Sequence, residues 1–220
     1  MLNERLIEAN RMVNRHILLN ETELMEYNWE EFIKPLLKLN NVKVIPFRFQ
    51  GVASELQAGS LVIAKNKTRI FYNDTMSKNR VNFTICHEAS HFIFDTNFGD
   101  SPEFLASSVL GKYDGEQKEN ELVTDATAGV FMCPDIVIVK YMESDVSFYR
   151  MSSNLKMSQS ALNYRLIQFV MVRLGYSYEH AGGLVNQFRY ENNKHFINAG
   201  LSGWGSTVKE GIICEYENSL

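Results

Sequence analysis

Residues 83–94 read Phe-Thr-Ile-Cys-His-Glu-Ala-Ser-His-Phe-Ile-Phe and contain a His-Glu-x-x-His pattern. On a helix, His87 and His91 lie one turn apart and project from the same face. Two imidazoles at that spacing can bind one Zn²⁺ ion, and Glu88 is placed to take a proton from a metal-activated water. The stretch therefore predicts a metal site on a helix over about residues 77–94.

The His-Glu-x-x-His pattern alone is a weak signal, because a surface helix with two polar histidines and a solvated glutamate has the same sequence. The flanking residues favour a buried helix, since apolar side chains occur on nearly every side of it. They are Phe83, Ile85, Cys86, Ala89, Phe92, Ile93 and Phe94. Burying two histidines and a glutamate without partners is costly. A metal ion would satisfy all three, so the sequence favours the metal site.

A catalytic zinc site needs a third protein ligand and an open fourth position. Glu121 and Asp125 are four residues apart on a predicted helix and therefore share a face. Glu121 could ligate the metal, and Asp125 could accept the second ring N–H of a ligating histidine. The alternative is a solvated acidic helix start, since Glu116 and Glu119 also suit the positive end of that helix. The histidines that are less well placed, on other predicted elements, are His180 and His195.

The composition limits the class of protein. The chain has 220 residues, with 22 Lys+Arg against 26 Asp+Glu and a net charge of −4. A protein held on nucleic acid by phosphate contacts is usually basic. The three cysteines show no Cys-x-x-Cys spacing, which is typical of reduced thiols in a cytoplasm. With neither a signal pattern nor an apolar run of about 20 residues, we expect a soluble cytoplasmic protein with no membrane partner.

Hydrophobic periodicity predicts an α+β fold. A small twisted antiparallel or mixed sheet from residues 42–73 would pack on the helix over 77–94, with helices before and after it. Those helices are expected over residues 1–19, 22–39 (capped by Thr22), 117–132, 145–155, 158–174 and 178–192. The segment 95–115 is expected to be a long surface loop with one short helix over 102–110. In the tail, residues 211–216 have a strand-like sequence, which leaves an edge strand or a loose end as the two alternatives.

Four blocks of sequence have a characteristic order and spacing. They are Ile-x-x-Asn at Ile70 to Asn73, Arg-x-x-Phe-Thr with His-Glu-x-x-His at Arg80 to His91, Glu-x-x-x-Asp with a following Met and Pro at Glu121 to Pro134, and Ser-x-x-Ala-x-x-x-Arg-Leu at Ser158 to Leu166. Together they resemble the ImmA/IrrE-type metallopeptidases (the DUF955 group) over roughly residues 30–175. The departures are small: Cys86, Ser90 and Thr124 stand where that family usually has Ala, Gly and Ala, and Cys133 is inserted between Met and Pro.

The resemblance implies a zincin-like fold and a metalloendopeptidase of the gluzincin type. It makes His87, His91 and Glu121 the ligands of one Zn²⁺ (or another divalent ion) per chain. It also makes Glu88 the general base, with Asp125 beside a ligating histidine. Members of this family cleave helix-turn-helix transcriptional repressors and are often encoded in prophages or mobile elements. The implied partner is therefore a repressor of that kind, and the implied role is regulatory.

The resemblance also suggests how the chain is organised. Residues 1–142 would form the metallopeptidase core, residues 143–192 a helical subdomain with helix-turn-helix-like packing, and residues 193–220 a tail of unknown role. The second helix of that subdomain carries Gln159, Asn163 and Arg165 on one side, but an ordinary core stripe on the other side disfavours direct binding to nucleic acid.

Two functions therefore remain open. The first is a zinc-dependent endopeptidase, and the second is a non-catalytic regulatory module on a metallopeptidase-like fold that binds protein or DNA. Hydrolysis also requires a donor for the oxyanion. The candidates are Tyr113, Tyr141, Tyr149, Tyr164 and His180.

Overall fold

The computed structural model describes residues 2–48, 50, 57–64, 67–96, 103–108, 115–203 and 207–220. The chain divides into two compact units, one of residues 30–128 and the other of residues 1–29 with 129–220. The division into parts at residues 142 and 192 stays a prediction.

The unit of residues 30–128 is built around a small mixed sheet. Its strands are β1 (Val42–Phe47), β2 (Gln57–Ala64), β3 (Lys67–Asn73) and β4 (Glu103–Ser108), in the order β1-β3-β2-β4. β1 is parallel to β3, whereas β2 is antiparallel to both β3 and β4. The helices that lie mostly in this unit are α2 (Trp29–Leu39), α3 (Lys78–Phe94) and α4 (Gly115–Met132). The architecture confirms the predicted α+β, zincin-like class.

A short polar turn connects β3 to α3. The Oδ1 atom of Asn73 accepts hydrogen bonds from the backbone N–H of Thr75 at 3.1 Å and from its hydroxyl at 2.7 Å. The Nδ2 atom of Asn73 donates to the carbonyl of Gln57 at 3.1 Å. The hydroxyl of Ser77 then accepts from the backbone N–H of Arg80 at 3.4 Å and caps the helix. The Ile-x-x-Asn block thus ends at the residue that fixes the start of α3.

α3 packs against β2 and β3. Every residue from Cys86 to Phe92 is buried, as expected for a helix with apolar side chains on most sides. The predicted helix over 77–94 is therefore confirmed, and its polar residues lie inside the unit. This position makes hydrogen-bond partners or a bound ion necessary for the two histidines and the glutamate.

Strand β4 corrects the expected loop over 95–115. Residues 103–108 form neither loop nor short helix, but an antiparallel strand with Leu61 opposite Leu105. The pairing satisfies backbone groups along the edge of β2 that would otherwise lack partners. The register shifts between Gln57 and Gly59, so β2 is irregular where it faces the middle of α3. Bulges of this kind are common beside functional sites.

The other unit is helical in the residues described. Its elements are α1 (Leu2–Leu19), a 3₁₀ turn (Leu24–Glu26), α5 (Asp135–Glu143), α6 (Phe148–Asn154), α7 (Gln159–Leu174), α8 (Tyr178–Glu191), α9 (His195–Leu201) and α10 (Val208–Glu217). α7 packs on α8, and α10 contacts both α1 and α5. Large aromatic side chains such as Phe131, Phe148, Phe169 and Phe188 fill its core.

A buried ion network crosses this helical unit. Arg165 is 4% exposed, its Nε donates to the carbonyl of Cys133 at 2.8 Å, and its Nη2 pairs with Asp135. The Nε of Arg173 lies 2.6 Å from the other oxygen of Asp135. The guanidinium of Arg165, one of the three polar residues noted on one side of the predicted helix over 158–174, therefore binds partners inside the helical unit.

Two further expectations, the strand-like tail segment and the cap of α2, were wrong. Residues 211–216 are helical rather than strand-like, because the hydroxyl of Thr207 and the carboxylate of Glu210 form a capping box that starts α10. Thr22 does not cap α2, because α2 begins only at Trp29. A 3₁₀ turn and the extended backbone of Tyr27 lie between the two residues. The hydroxyl of Tyr27 donates a hydrogen bond to the carbonyl of Phe131 at 2.5 Å and fixes this segment in place.

Within the described residues, no single helix has the length and apolar character needed to cross a membrane. One bent pair, Lys118–Met132 with Asp135–Glu143, passes the same test by length and composition alone.

Candidate metal centre

The two histidines of α3 face each other through their outer nitrogens. The Nε2 atoms of His87 and His91 are 3.1 Å apart, and the ring centroids are separated by 4.8 Å. Both residues are 5% exposed. Their spacing of one helical turn places the two rings on one face of α3, as the sequence predicts.

α4 brings a carboxylate to the same place. The oxygens of Glu121 lie 3.2 Å from Nε2 of His87 and 3.4 Å from Nε2 of His91. The three residues each offer one ligand atom, and these atoms lie within 4.8 Å of one another. A tetrahedral zinc with bonds of about 2.0–2.1 Å has ligand atoms about 3.3–3.4 Å apart. The donor set and its spacing therefore fit a tetrahedral metal ion with one position left open.

Each histidine is held from behind by a different carboxylate. The Nδ1 atom of His87 lies 2.8 Å from Oδ1 of Asp125, as predicted. The Nδ1 atom of His91 lies 2.8 Å from Oδ2 of Asp95, which the sequence reasoning placed at the start of a loop. The available signal was the spacing of four residues between His91 and Asp95, which puts both on one helical face. Nδ1–H donation to a carboxylate leaves each Nε2 lone pair free for a metal.

The surrounding carboxylates govern the charge of the site. Burial lowers the pKa of His87, but its hydrogen bonds with Asp125 and Glu121 outweigh that effect and raise the pKa to about 10. Burial also lowers the pKa of His91, whereas Asp95 and Glu121 raise it above its ordinary value. Burial raises the pKa of Glu121, but the two histidines lower it to about 2. The site therefore favours positive charge strongly, which a divalent cation supplies.

Glu88 follows His87 on α3, lies against strand β2 and is fully buried. A Cβ atom at Gly59 of β2 would meet Oε1 of Glu88 at 3.1 Å, Cγ2 of Thr84 at 2.5 Å and the carbonyl oxygen of Phe71 at 2.8 Å. Only a residue without a side chain fits at that point, so Gly59 lets α3 approach the sheet closely. The sequence reasoning missed Gly59.

Of the other candidate ligands that the structure describes, none belongs to the cluster of His87, His91 and Glu121. Among the described residues, the group of possible ligands consists of His87, His91 and Glu121. Glu119 is exposed on α4, and the side chain of Glu116 lies outside the description. Tyr113 also lies outside the described residues. The remaining candidates belong to the helical unit: Tyr141, Tyr149, Tyr164, His180 and His195.

A His/His/Glu cluster of this spacing on an α+β scaffold is the kind of site that metallopeptidases use. Residues 40–167 match the family model Peptidase_M78, described as the IrrE N-terminal-like domain. The match covers more than half of the chain, and the chain belongs to this family of metallopeptidases. It confirms the resemblance to the ImmA/IrrE type. No curated protein matches the chain.

Proposed function

We propose that this protein is a zinc-dependent endopeptidase of the gluzincin type. The observation that carries the proposal is the convergence of two imidazole nitrogens, 3.1 Å apart, on the carboxylate of Glu121, whose two oxygens lie 3.2 Å from Nε2 of His87 and 3.4 Å from Nε2 of His91. His87, His91 and Glu121 would hold the ion. When bound there, zinc supplies a Lewis acid that polarises a carbonyl and lowers the pKa of water.

The side chains around the ion would perform the proton transfers. Glu88 follows a proposed ligand directly in sequence and lies beside both histidines, so it would take the proton of the attacking water and return it to the leaving amine. Asp125 would hold His87 in the tautomer that presents Nε2.

The proposed substrate is a helix-turn-helix transcriptional repressor, cleaved at a specific site in a cytoplasm. Two features support this choice: the resemblance to the ImmA/IrrE type in all four sequence blocks, and the family match over residues 40–167. A regulatory protease of this kind acts on one partner, so general digestion of unfolded protein is not expected.

The test compares the wild type with Glu88→Gln and His87→Ala. Zinc content is measured after purification without chelators, and cleavage of a purified helix-turn-helix repressor is followed by mass spectrometry. Glu88→Gln should keep zinc and lose about 10²–10⁴-fold in cleavage rate, whereas His87→Ala should lose both. Equal cleavage by Glu88→Gln would remove Glu88 as the base. A wild type that binds zinc but cleaves no repressor would instead favour the non-catalytic regulatory module.

A further inference from the structure

We propose that Asp95 and Thr124 form a positioning pair for His91. This pair contributes more to metal affinity than Asp125 contributes by positioning His87. The inference rests on the proposed function, because it assumes that His91 ligates the ion. It adds two residues that neither the His-Glu-x-x-His pattern nor the four sequence blocks assign to the site.

Asp95 is bound to His91 twice. Its Oδ2 lies 2.8 Å from Nδ1 of His91, and its backbone N–H donates to the carbonyl of His91 at 2.9 Å. The backbone bond fixes the Cα of Asp95 one turn after His91, and the side-chain bond fixes the rotation of the imidazole ring. A ring held in this way presents Nε2 toward Glu121, 3.4 Å away.

Helix stability does not account for an aspartate at this point. Asp95 is the residue that ends α3, where the partial negative charge of the helix end disfavours an acidic side chain. The neighbouring Thr96 donates its hydroxyl to the carbonyl of Phe92 at 2.8 Å, so one terminal carbonyl has a neutral partner already. The charge of Asp95 is therefore better explained by its contact with His91.

Thr124 supports Asp95 from α4. Its hydroxyl donates to Oδ2 of Asp95 at 3.4 Å, and Thr124 is fully buried. Glu121, Thr124 and Asp125 have the i, i+3, i+4 spacing that places three side chains on one helical face.

The two histidine–carboxylate pairs differ in their exposure to water. The side chain of Asp125 is 52% exposed, whereas that of Asp95 is 28% exposed. Water competes less with the bond between Asp95 and His91, and the hydroxyl of Thr124 restricts that carboxylate further. Removal of Asp95 should therefore cost more metal affinity than removal of Asp125.

The experiment measures the dissociation constant of Zn²⁺ by chelator competition for the wild type, Asp95→Ala, Asp95→Asn, Asp125→Ala and Thr124→Val. Asp95→Ala should raise the constant by about 10–100-fold. Asp95→Asn keeps an acceptor oxygen and should restore part of the loss. Asp125→Ala and Thr124→Val should each have a smaller effect than Asp95→Ala. The visible spectrum of bound Co²⁺ should change in Asp95→Ala, because the orientation of one ligand changes.

Glu119→Gln is the matched control, since it removes one exposed carboxylate from α4 without removing a contact to either histidine. Thermal unfolding of each metal-free variant checks that the fold persists. The inference is overturned if Asp95→Ala binds Zn²⁺ as tightly as Glu119→Gln, or if Asp125→Ala costs more affinity than Asp95→Ala. A wild type that binds neither Zn²⁺ nor Co²⁺ would instead overturn the proposed function.

Discussion

Gly59 of β2 faces Glu88 of α3 so closely that a Cβ atom at residue 59 would lie 3.1 Å from Oε1 of the glutamate. The main chain of the sheet therefore packs directly against Glu88, the proposed base. This contact links the position of Glu88 to the irregular register of β2 at Gln57 and Gly59. A change at Gly59 should act on both the stability of this unit and the position of the base.

Gly59→Ala should destabilise the protein by about 1–3 kcal/mol, the usual cost of inserting a methyl group into a filled interior. The added Cβ would meet the carbonyl oxygen of Phe71 at 2.8 Å, and a backbone atom within a sheet cannot move away easily. Urea unfolding measures the loss. Cleavage should fall further than stability alone explains, because Glu88 must shift.

Gly183→Ala is the control for that experiment. Gly183 lies within α8, and a Cβ there would meet nothing within 4 Å. The change should be neutral or stabilising by up to about 1 kcal/mol, because alanine favours the helix. If Gly59→Ala proved as harmless as Gly183→Ala, the close approach of α3 to β2 would be wrong.

Metal binding should release protons. In the metal-free protein, the pKa of His87 is raised from 6.5 to about 10 and that of His91 is also raised, whereas a ligating imidazole must be neutral. Zinc affinity should therefore rise with pH from below 6.5 toward 10. Titration calorimetry at pH 7 in buffers with different protonation enthalpies should report the release of about one to two protons per ion. An enthalpy that does not depend on the buffer would contradict this.

The imidazole of His87 should also make the stability of the metal-free fold depend on pH. Because the folded pKa of His87 lies above its ordinary value, its contribution to stability is complete below pH 6.5 and is lost as the pH rises to about 10. Metal removal with a chelator should expose this dependence in urea unfolding. His87→Gln should show a flatter profile over that window, and equal profiles would rule out His87 as the titrating group.

The core of the site could be predicted from the sequence because its spacing is local. His87 with His91 and Glu121 with Asp125 are pairs four residues apart on helices, and helical geometry alone gives each pair a common face. That the two faces meet is a tertiary fact. Only the resemblance in the order and spacing of the blocks indicated it in advance.

The missed features have different causes. β4 pairs with a strand some forty residues earlier, with Leu105 opposite Leu61, and no periodicity in 103–108 specifies such a distant partner. The position of Asp95 one helical turn after His91 is visible in the sequence. It is a weak signal for a contact, because many helices are followed by an aspartate. The capping box of Thr207 and Glu210 is a local sequence signal, and the strand prediction for residues 211–216 did not use it.

The rate of reaction with a thiol reagent should distinguish the exposed cysteine from the two buried ones. Burial raises the pKa of Cys86 well above 9.0 and that of Cys133 to about 12, whereas Cys214 is exposed. A thiol-specific chromogenic reagent at pH 8 should therefore label one thiol per folded chain and three in urea, because only accessible thiolate reacts. Cys214→Ser should leave no rapidly labelled thiol. Rapid labelling of two or more in the wild type would show that a buried cysteine is accessible.

Asp135→Asn should remove much of the stability of the helical unit. Burial raises the pKa of Asp135, but the charges of Arg165 and Arg173 outweigh it and keep the pKa below 3.8. Loss of the carboxylate leaves the buried Arg165 without its countercharge, which costs about 3–5 kcal/mol by urea unfolding at pH 7. Because the folded pKa is lowered, the advantage of the wild type should be constant above pH 3.8 and shrink as the pH falls further. Asp74→Asn, which breaks the exposed pair with Arg48, should cost less than about 1 kcal/mol, and equal losses for the two variants would refute the buried network.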